Sequence, residues 1–207
     1  QSDAFLRGLM GPFGSGKSSG CVMEIVRRSQ AQAPAEDGVR RTRWAVIRNT
    51  YRQLHDTTIK TVHQWLPPHI FGDYKVSEET YIVKALPECE VEILYRALDR
   101  PDHVGNLLSL ELTGAWGNEG REIPWGILDA LQGRVGRYPA KREGGGPTWY
   151  GVFLDTNPPD TERIRGPPSP RTSSTPGVSC ARSGAWPGRM PSCPSYAGTT
   201  SETASPS

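Results

Sequence analysis

Apolar positions in the first 160 residues form short segments that alternate between strand-like and helix-like spacing. Strand-like segments are Ala4–Met10, Arg43–Arg48, Thr80–Lys84, Val91–Leu98, Thr113–Asn118 and Trp149–Asp155, and Leu107–Leu112 is apolar enough for a further strand. Helix-like segments are Lys17–Arg28, Tyr51–Trp65 and Pro124–Gln132. This alternation predicts an α/β fold with a mostly parallel sheet flanked by helices, in which Ala4–Met10 is a short buried strand.

The pattern stops near residue 162, and residues 163–207 are rich in Pro, Ser, Gly and Arg. The last 43 residues contain one acidic residue, Glu202, and no Lys. Because such a segment has too little apolar surface to offset the entropy of ordering, we predict a folded domain over residues 1–162 and a disordered tail over 163–207. Two origins stay open for it: a natural Pro/Ser-rich tail, or translation out of frame.

The 207 residues include 24 Lys+Arg and 22 Asp+Glu, so the net charge of +2 excludes a polybasic nucleic-acid coat but leaves room for a local basic groove. We expect no membrane span and no secretory signal, and the first residue, Gln1, suggests that the natural start is missing. Neither the Cys nor the His spacing indicates a metal site of protein ligands. Four tryptophans in apolar segments are interpreted as core: Trp44, Trp65, Trp116 and Trp149.

One local motif indicates chemistry: Gly11-Pro12-Phe13-Gly14-Ser15-Gly16-Lys17-Ser18, followed by Ser19, matches the phosphate-loop pattern GxxxxGK[ST]. A strand is predicted before it and a helix after it, as the motif requires. The glycines let successive N–H groups point at a phosphate, Lys17 reaches the β- and γ-phosphates, and the Ser18 hydroxyl ligates Mg²⁺. The chain is therefore predicted to bind a nucleoside triphosphate, although kinases, transporters, helicases and motors share this loop.

Hydrolysis also needs a group that positions the attacking water, usually a carboxylate at the end of a neighbouring strand. Glu119, at the end of the segment GAWGNE, is the best candidate. Asn118 precedes it where an Asp is usual; its carbonyl could still accept a hydrogen bond from a magnesium-bound water. Glu119 could instead be an ordinary surface carboxylate, and its rivals are Glu111, Glu122 and Asp155, of which Asp155 is the strongest because it ends a strand.

The order of these segments resembles the large terminase subunit of tailed phages, the ATPase motor that packages DNA into capsids. The similar segments are SDAFLRGLMGPFGSGKSSG, WAVIRNTYRQLHDTTIKT, LSLELTGAWGNEGREIP, LQGRVGRYP and GVFLDTNPP, which together extend from Ser2 to about Asp160. The phosphate loop alone is generic, and its combination with the other segments is much more specific. The chain is similar in particular to a subgroup of terminases that carry Asn-Glu.

The resemblance implies a P-loop ATPase that uses ATP and Mg²⁺, with a role for each matching residue. Asn118 and Glu119 would end the Walker B strand, with Glu119 activating water. Thr156 and Asn157 would form the coupling motif, which senses the γ-phosphate and passes hydrolysis on to DNA movement. A plain turn is the alternative for the segment TNPP, since Asn-Pro and Pro-Pro end strands in any case.

Terminases are expected to stabilise the transition state with an arginine, and the phosphate loop here contains none. Arg134 and Arg137, in GRVGRYP, are the candidates for a finger acting in trans, with Arg137 preferred; a solvated loop or a salt bridge is the alternative. Arg48 and Arg52 flank the start of a predicted helix, a position that in helicase-like folds faces nucleic acid or the nucleotide, so we expect them to contact a phosphate.

The expected partners are double-stranded DNA, the portal protein, the small terminase subunit and further copies of the chain in a ring. The expected location is the host cytoplasm, transiently at the procapsid portal. The resemblance also implies a C-terminal nuclease domain, but only Glu162 and Glu202 follow Asp160 as carboxylate side chains, so we expect no nuclease activity from this chain. Two other functions stay open: a P-loop kinase or nucleotide-binding regulator, and an inactive truncated product.

Overall fold

The computed structural model describes residues 3–98 and 101–158, apart from the side chains of 101–104 and 143–144, and it contains one seven-stranded sheet. The strands are β1 (Leu6–Met10), β2 (Arg40–Arg48), β3 (Gly72–Lys75), β4 (Thr80–Leu86), β5 (Cys89–Ala97), β6 (Gly114–Asn118) and β7 (Gly151–Thr156). Their order is β1-β7-β6-β2-β5-β4-β3. The first five in this order are parallel, and β4 and β3 are antiparallel additions, so the predicted mostly parallel sheet is confirmed.

Helices connect the strands. They are α1 (Lys17–Gln30), α2 (Tyr51–Gln53), α3 (Lys60–Trp65), α4 (Pro68–Phe71), α5 (Pro101–Leu108), α6 (Trp125–Gln132) and α7 (Lys141–Gly144), with 3₁₀ turns at Val76–Glu78 and Gly120–Glu122. A π-helical segment, Leu54–Ile59, joins α2 to α3. The predicted helix Tyr51–Trp65 is therefore continuous, but its middle is wound more loosely, a feature that often marks functional positions.

Two buried clusters cover the two faces of the sheet, as the alternation of strands and helices requires. In β2, the side chains of Trp44 and Val46 point to one face and those of Ala45 and Ile47 to the other. All four are fully buried, which explains the continuous apolar run in this strand. Trp116 is also in the core as expected, whereas Trp65 is 45% exposed at the end of α3 and the core prediction for it is wrong.

The strand predicted at Leu107–Leu112 is not formed. Leu107 and Leu108 instead end α5, and Leu112 makes only an isolated bridge to Val135. The apolar side chains of this segment are nevertheless buried, because Leu107 and Leu112 both pack in the cluster beneath α6. An apolar run this short does not distinguish a buried strand from the end of a buried helix.

The sequence predicts that β1 is buried, and the structure corrects this. Four of its five residues are exposed, Met10 to 68%. The reason is its place in the sheet: among the described residues β1 pairs only with β7, so it forms an edge. The predicted tail, 163–207, lies outside the described residues, and no helix within the described part is long and apolar enough to cross a membrane.

Candidate functional site

The segment from Gly11 to Ser18 forms a loop between β1 and α1 at the carboxyl end of the parallel strands. The N–H of Gly11 donates to the carbonyl oxygen of Thr156 (3.3 Å), which anchors the loop to the end of β7. Gly14 and Gly16 have φ angles of 72° and 77°, a left-handed conformation that favours glycine. The spacing of glycines in the motif therefore follows from the backbone that the loop adopts.

The ammonium group of Lys17 lies inside this loop. It donates to the carbonyl oxygens of Gly11 and Pro12, both at 2.8 Å, and to Oδ1 of Asn157 at 3.0 Å. Asn157 directly follows β7, so the loop lysine and the predicted coupling residue are in direct contact. A positive charge is thus held at the loop by three oxygen acceptors, which suits the binding of an anionic phosphate nearby.

The next residue of the loop, Ser18, contacts the ends of two strands. Its hydroxyl donates to Oδ2 of Asp155 (2.8 Å) and lies 3.3 Å from Nδ2 of Asn118. Asp155 is fully buried, and it also accepts from Nδ2 of Asn118 (3.0 Å to each oxygen) and from Nε1 of Trp116 (2.8 Å). The structure therefore gathers Ser18, Asn118 and Asp155 into one hydrogen-bonded cluster.

The orientation of Asn118 differs from expectation. The sequence predicts that its carbonyl oxygen can accept from a magnesium-bound water, but in the structure that oxygen accepts from Thr58 Oγ1 (2.7 Å) and Arg48 Nη1 (3.1 Å). These two donors turn the amide nitrogen toward Asp155. Thr58 belongs to the π-helical segment and is not predicted as a site residue from the sequence. The signal that could have indicated it is the polar spacing of Thr58, Thr61 and Gln64 along the predicted helix.

Glu119 follows Asn118 in a left-handed conformation (φ 54°), which is unusual for a residue with a side chain. Its Oε1 accepts from Nδ2 of Asn157 at 2.9 Å. The carboxylate lies at a pocket of about 220 Å³ whose other lining residues are the phosphate loop, Asn157 and two residues of α3, Thr61 and Gln64. Glu79 and Glu88 have the same backbone conformation in turns beside β4, so Glu119 is distinguished by its place at the phosphate loop rather than by its backbone.

The rival carboxylates occupy other places. Glu111 is exposed ahead of β6, away from the carboxyl end of the sheet. Glu122 lies 3.8 Å from Arg48 in an adjoining cavity of about 330 Å³ that Glu119 also lines. Asp155 contacts Ser18, as described above, and has no contact with solvent.

The four candidate arginines separate into two groups. Arg48 is buried beside Asn118, whereas the side chain of Arg52 is 92% exposed and lies 3.5 Å from Asp56. The backbones of Arg134 and Arg137 hydrogen-bond to Leu112, which precedes β6. Both arginines therefore lie near the amino ends of the parallel strands, roughly 20 Å along β6 from the site at the carboxyl ends. Neither can reach the phosphate loop of its own chain, and the finger in trans stays a prediction.

The thiol of Cys21 lies next to the site on α1 and is buried. Burial, with further contributions from the charges of Asp155 and Glu24, raises the pKa of this thiol well above its ordinary value. Cys21 is therefore a neutral core side chain and supplies no ligand or nucleophile. Among the described residues, no group of three or more His, Cys, Asp or Glu side chains could hold a metal ion.

Comparison with known proteins identifies the fold. No protein-family model matches the sequence, and no curated protein is significantly similar to it. Among solved structures, the large terminase of a thermophilic bacteriophage superposes with a TM-score of 0.58 at 10% identity, over 76% of this chain and 34% of the terminase. This chain has the fold found in phage large terminases.

Two further structures of the same thermophilic phage terminase are similar at comparable levels. The complex with ADP has a TM-score of 0.54 at 11% identity, over 73% of this chain and 34% of the terminase. The complex with ATP-γ-S has a TM-score of 0.53 at 10% identity, over 74% and 32%. The chain thus spans about a third of the length of the terminases that share its fold.

Proposed function

We propose that this chain is the ATPase motor segment of a phage large terminase subunit, and that it couples ATP hydrolysis to the packaging of double-stranded DNA. The observation that carries the proposal is the hydrogen-bonded path from Lys17 through Asn157 to Glu119, at a phosphate loop within a terminase fold. The path joins a phosphate-binding cation to a carboxylate that can position water.

The complexes of the thermophilic phage terminase with ADP and ATP-γ-S support ATP as the ligand. Lys17 and the loop amides would bind the phosphates, and the Ser18 hydroxyl would be a protein ligand of Mg²⁺. The metal, when bound, neutralises charge on the phosphate oxygens. Glu119 would orient the attacking water and accept its proton, while Asn157 holds that carboxylate in place.

Stabilisation of the developing phosphoryl charge needs a further cation. Arg48 lines the cavity that Glu119 and Asn157 share and is the candidate cation from the same chain, while one of its guanidinium nitrogens holds Asn118. Arg134 and Arg137, near the amino ends of the parallel strands, would act only on the nucleotide of a neighbouring subunit in a ring. The proposed partners are accordingly further copies of the chain, the portal protein, the small terminase subunit and DNA, met in the host cytoplasm at the procapsid portal.

The test is ATP turnover by the 207-residue chain with and without double-stranded DNA. We expect Mg²⁺-dependent release of phosphate that rises with DNA and is lost in Glu119→Gln, while Asp129→Asn, on the exposed side of α6, behaves as wild type. Transfer of phosphate to a small-molecule acceptor would instead favour a kinase. Turnover that Glu119→Gln leaves unchanged would contradict the proposed role of this carboxylate.

Nuclease activity is tested separately, by incubation of the chain with plasmid and Mg²⁺ or Mn²⁺. The plasmid should stay intact, because only Glu162 and Glu202 follow Asp160 as carboxylate side chains. Cleavage by the purified chain would refute this expectation.

A further inference from the structure

The end of β6 carries an amide where this class of ATPase places a magnesium-binding aspartate, and the end of the adjacent strand carries a buried carboxylate. Asn118 and Asp155 are directly opposite each other in the register of β6 and β7. Both are within hydrogen-bonding distance of the Ser18 hydroxyl. The neutral Asn118 and the carboxylate of Asp155 are therefore neighbours beside the same serine of the loop.

Every hydrogen bond described for the Asp155 carboxylate comes from a neutral donor. Trp116 donates to one oxygen, Ser18 donates to the other, and Asn118 donates to both. Within residues 3–98 and 101–158 no ion pair is formed with Asp155, and the nearby ammonium of Lys17 donates to Gly11, Pro12 and Asn157 instead. A fully buried carboxylate without a counter-charge is costly, and a cation beside Ser18 would compensate it.

The surroundings of Asn118 match this arrangement. Arg48 and Thr58 hold its carbonyl oxygen and so present its NH₂ group to Asp155. A carboxylate at position 118 would face Asp155 at about 3 Å, where like charges disfavour ionisation of both groups. The site is therefore built for one carboxylate, and that carboxylate stands on β7.

The geometry points to Asp155 as the acidic residue of the magnesium site, with Asn118 as the neutral partner that orients it. Asp155 would hold the Ser18 hydroxyl and contribute the negative charge to the shell around a nucleotide-bound Mg²⁺, which binds to proteins through one or two carboxylates plus phosphates and waters. Asp155 is thus a positioning and metal-site residue, distinct from Glu119 and its water. The inference rests on the nucleotide binding proposed above.

The experiment measures the affinity of the 207-residue chain for the non-hydrolysable analogue AMP-PNP, by calorimetry in Mg²⁺ and in EDTA. Wild type should bind more tightly in Mg²⁺. In Asp155→Asn, binding in EDTA should persist, but the enhancement by Mg²⁺ should fall by about 10- to 100-fold. Asp129→Asn, which removes an exposed carboxylate on α6, should keep the full enhancement.

A second variant covers the case in which Asp155→Asn does not fold. Exchanging the two residues, as Asn118→Asp with Asp155→Asn, keeps one carboxylate and one amide beside Ser18 and should recover most of the enhancement. An unchanged enhancement in folded Asp155→Asn, or its absence from a folded exchange variant, would overturn the inference while leaving nucleotide binding intact. If wild type binds AMP-PNP neither in Mg²⁺ nor in EDTA, the proposed function would be overturned as well.

Discussion

The side-chain nitrogen of Asn157 donates to Glu119 across 2.9 Å. The oxygen of the same amide accepts from Lys17 at 3.0 Å. A movement of the lysine toward a bound phosphate would therefore shift the planar amide of Asn157 and, with it, the Glu119 carboxylate. The coupling role that the resemblance implies for Asn157 stays a prediction, and this pair of contacts makes it testable.

Replacing Asn157 with Asp removes the donor and places a like charge next to Glu119. We expect ATP turnover to fall by about 100-fold, the scale of a misplaced catalytic group, with a smaller change in KM. Steady-state kinetics of Asn157→Asp test this. Asn106→Asp, an exposed substitution on α5, is the matched control, and equal kcat values for the two variants would contradict the coupling.

The left-handed backbone at Glu119 predicts which of two variants is the more stable, when both lack the carboxylate. Glu119→Ala and Glu119→Gly both lack the hydrogen bond to Asn157, but only glycine adopts φ 54° without steric cost. The glycine variant should be more stable than the alanine variant by about 1 kcal/mol. Urea unfolding measures the difference, and an alanine variant of equal or greater stability would show that Glu119 is unstrained.

Glu24 of α1 should make unfolding sensitive to acid. Burial alone would raise the pKa of its carboxyl group, but hydrogen bonds from Arg27, Arg28 and Arg7 outweigh it and lower the pKa from 4.5 to about 2. Because the pKa is depressed in the folded state, this stabilisation is present above pH 4.5 and is lost as the pH falls from 4.5 toward 2.

The free energy of unfolding of Glu24→Gln should therefore depend less on pH over this interval than that of wild type. Glu36→Gln, at an exposed position, should keep the wild-type slope. Chemical unfolding at several pH values gives both slopes. Parallel curves for Glu24→Gln and wild type would show that the arginine cluster does not stabilise the fold through this charge.

The two described cysteines should react slowly with alkylating reagents. Burial raises the pKa of the Cys89 thiol to about 11 and that of Cys21 higher still. Since the thiolate is the nucleophile, iodoacetamide at about pH 8 should label both far more slowly in the folded chain than in urea. Peptide mass spectrometry resolves each site, and equal rates in the two conditions at Cys21 would contradict its burial against the sheet.

The sequence predicts the parts of the site that local patterns specify. The residues that define the phosphate loop are consecutive in the chain, so the loop and the helix α1 that follows it are predicted directly from the motif. Glu119 is found from its place after an apolar strand. Both lie at the same edge of the sheet because parallel strands present their carboxyl ends together.

The parts that the sequence does not predict depend on strand order and on the edges of the sheet. Asn118 and Asp155 are 37 residues apart, and only the adjacency of β6 and β7 joins them. Thr58, in the π-helical segment, donates to Asn118, a contact between distant parts of the chain that no propensity scale indicates. The exposure of β1 likewise follows from its edge position rather than from its composition.

ATP binding by this chain is proposed to depend on the loop from Gly11 to Ser18, with Lys17 contacting the polyphosphate. The most direct measurement is equilibrium binding of a fluorescent ATP analogue to wild type and to Lys17→Ala, with circular dichroism to establish that both are folded. We expect saturable binding by wild type and its abolition in the variant. Unchanged affinity in a folded Lys17→Ala chain would contradict the assignment of the loop.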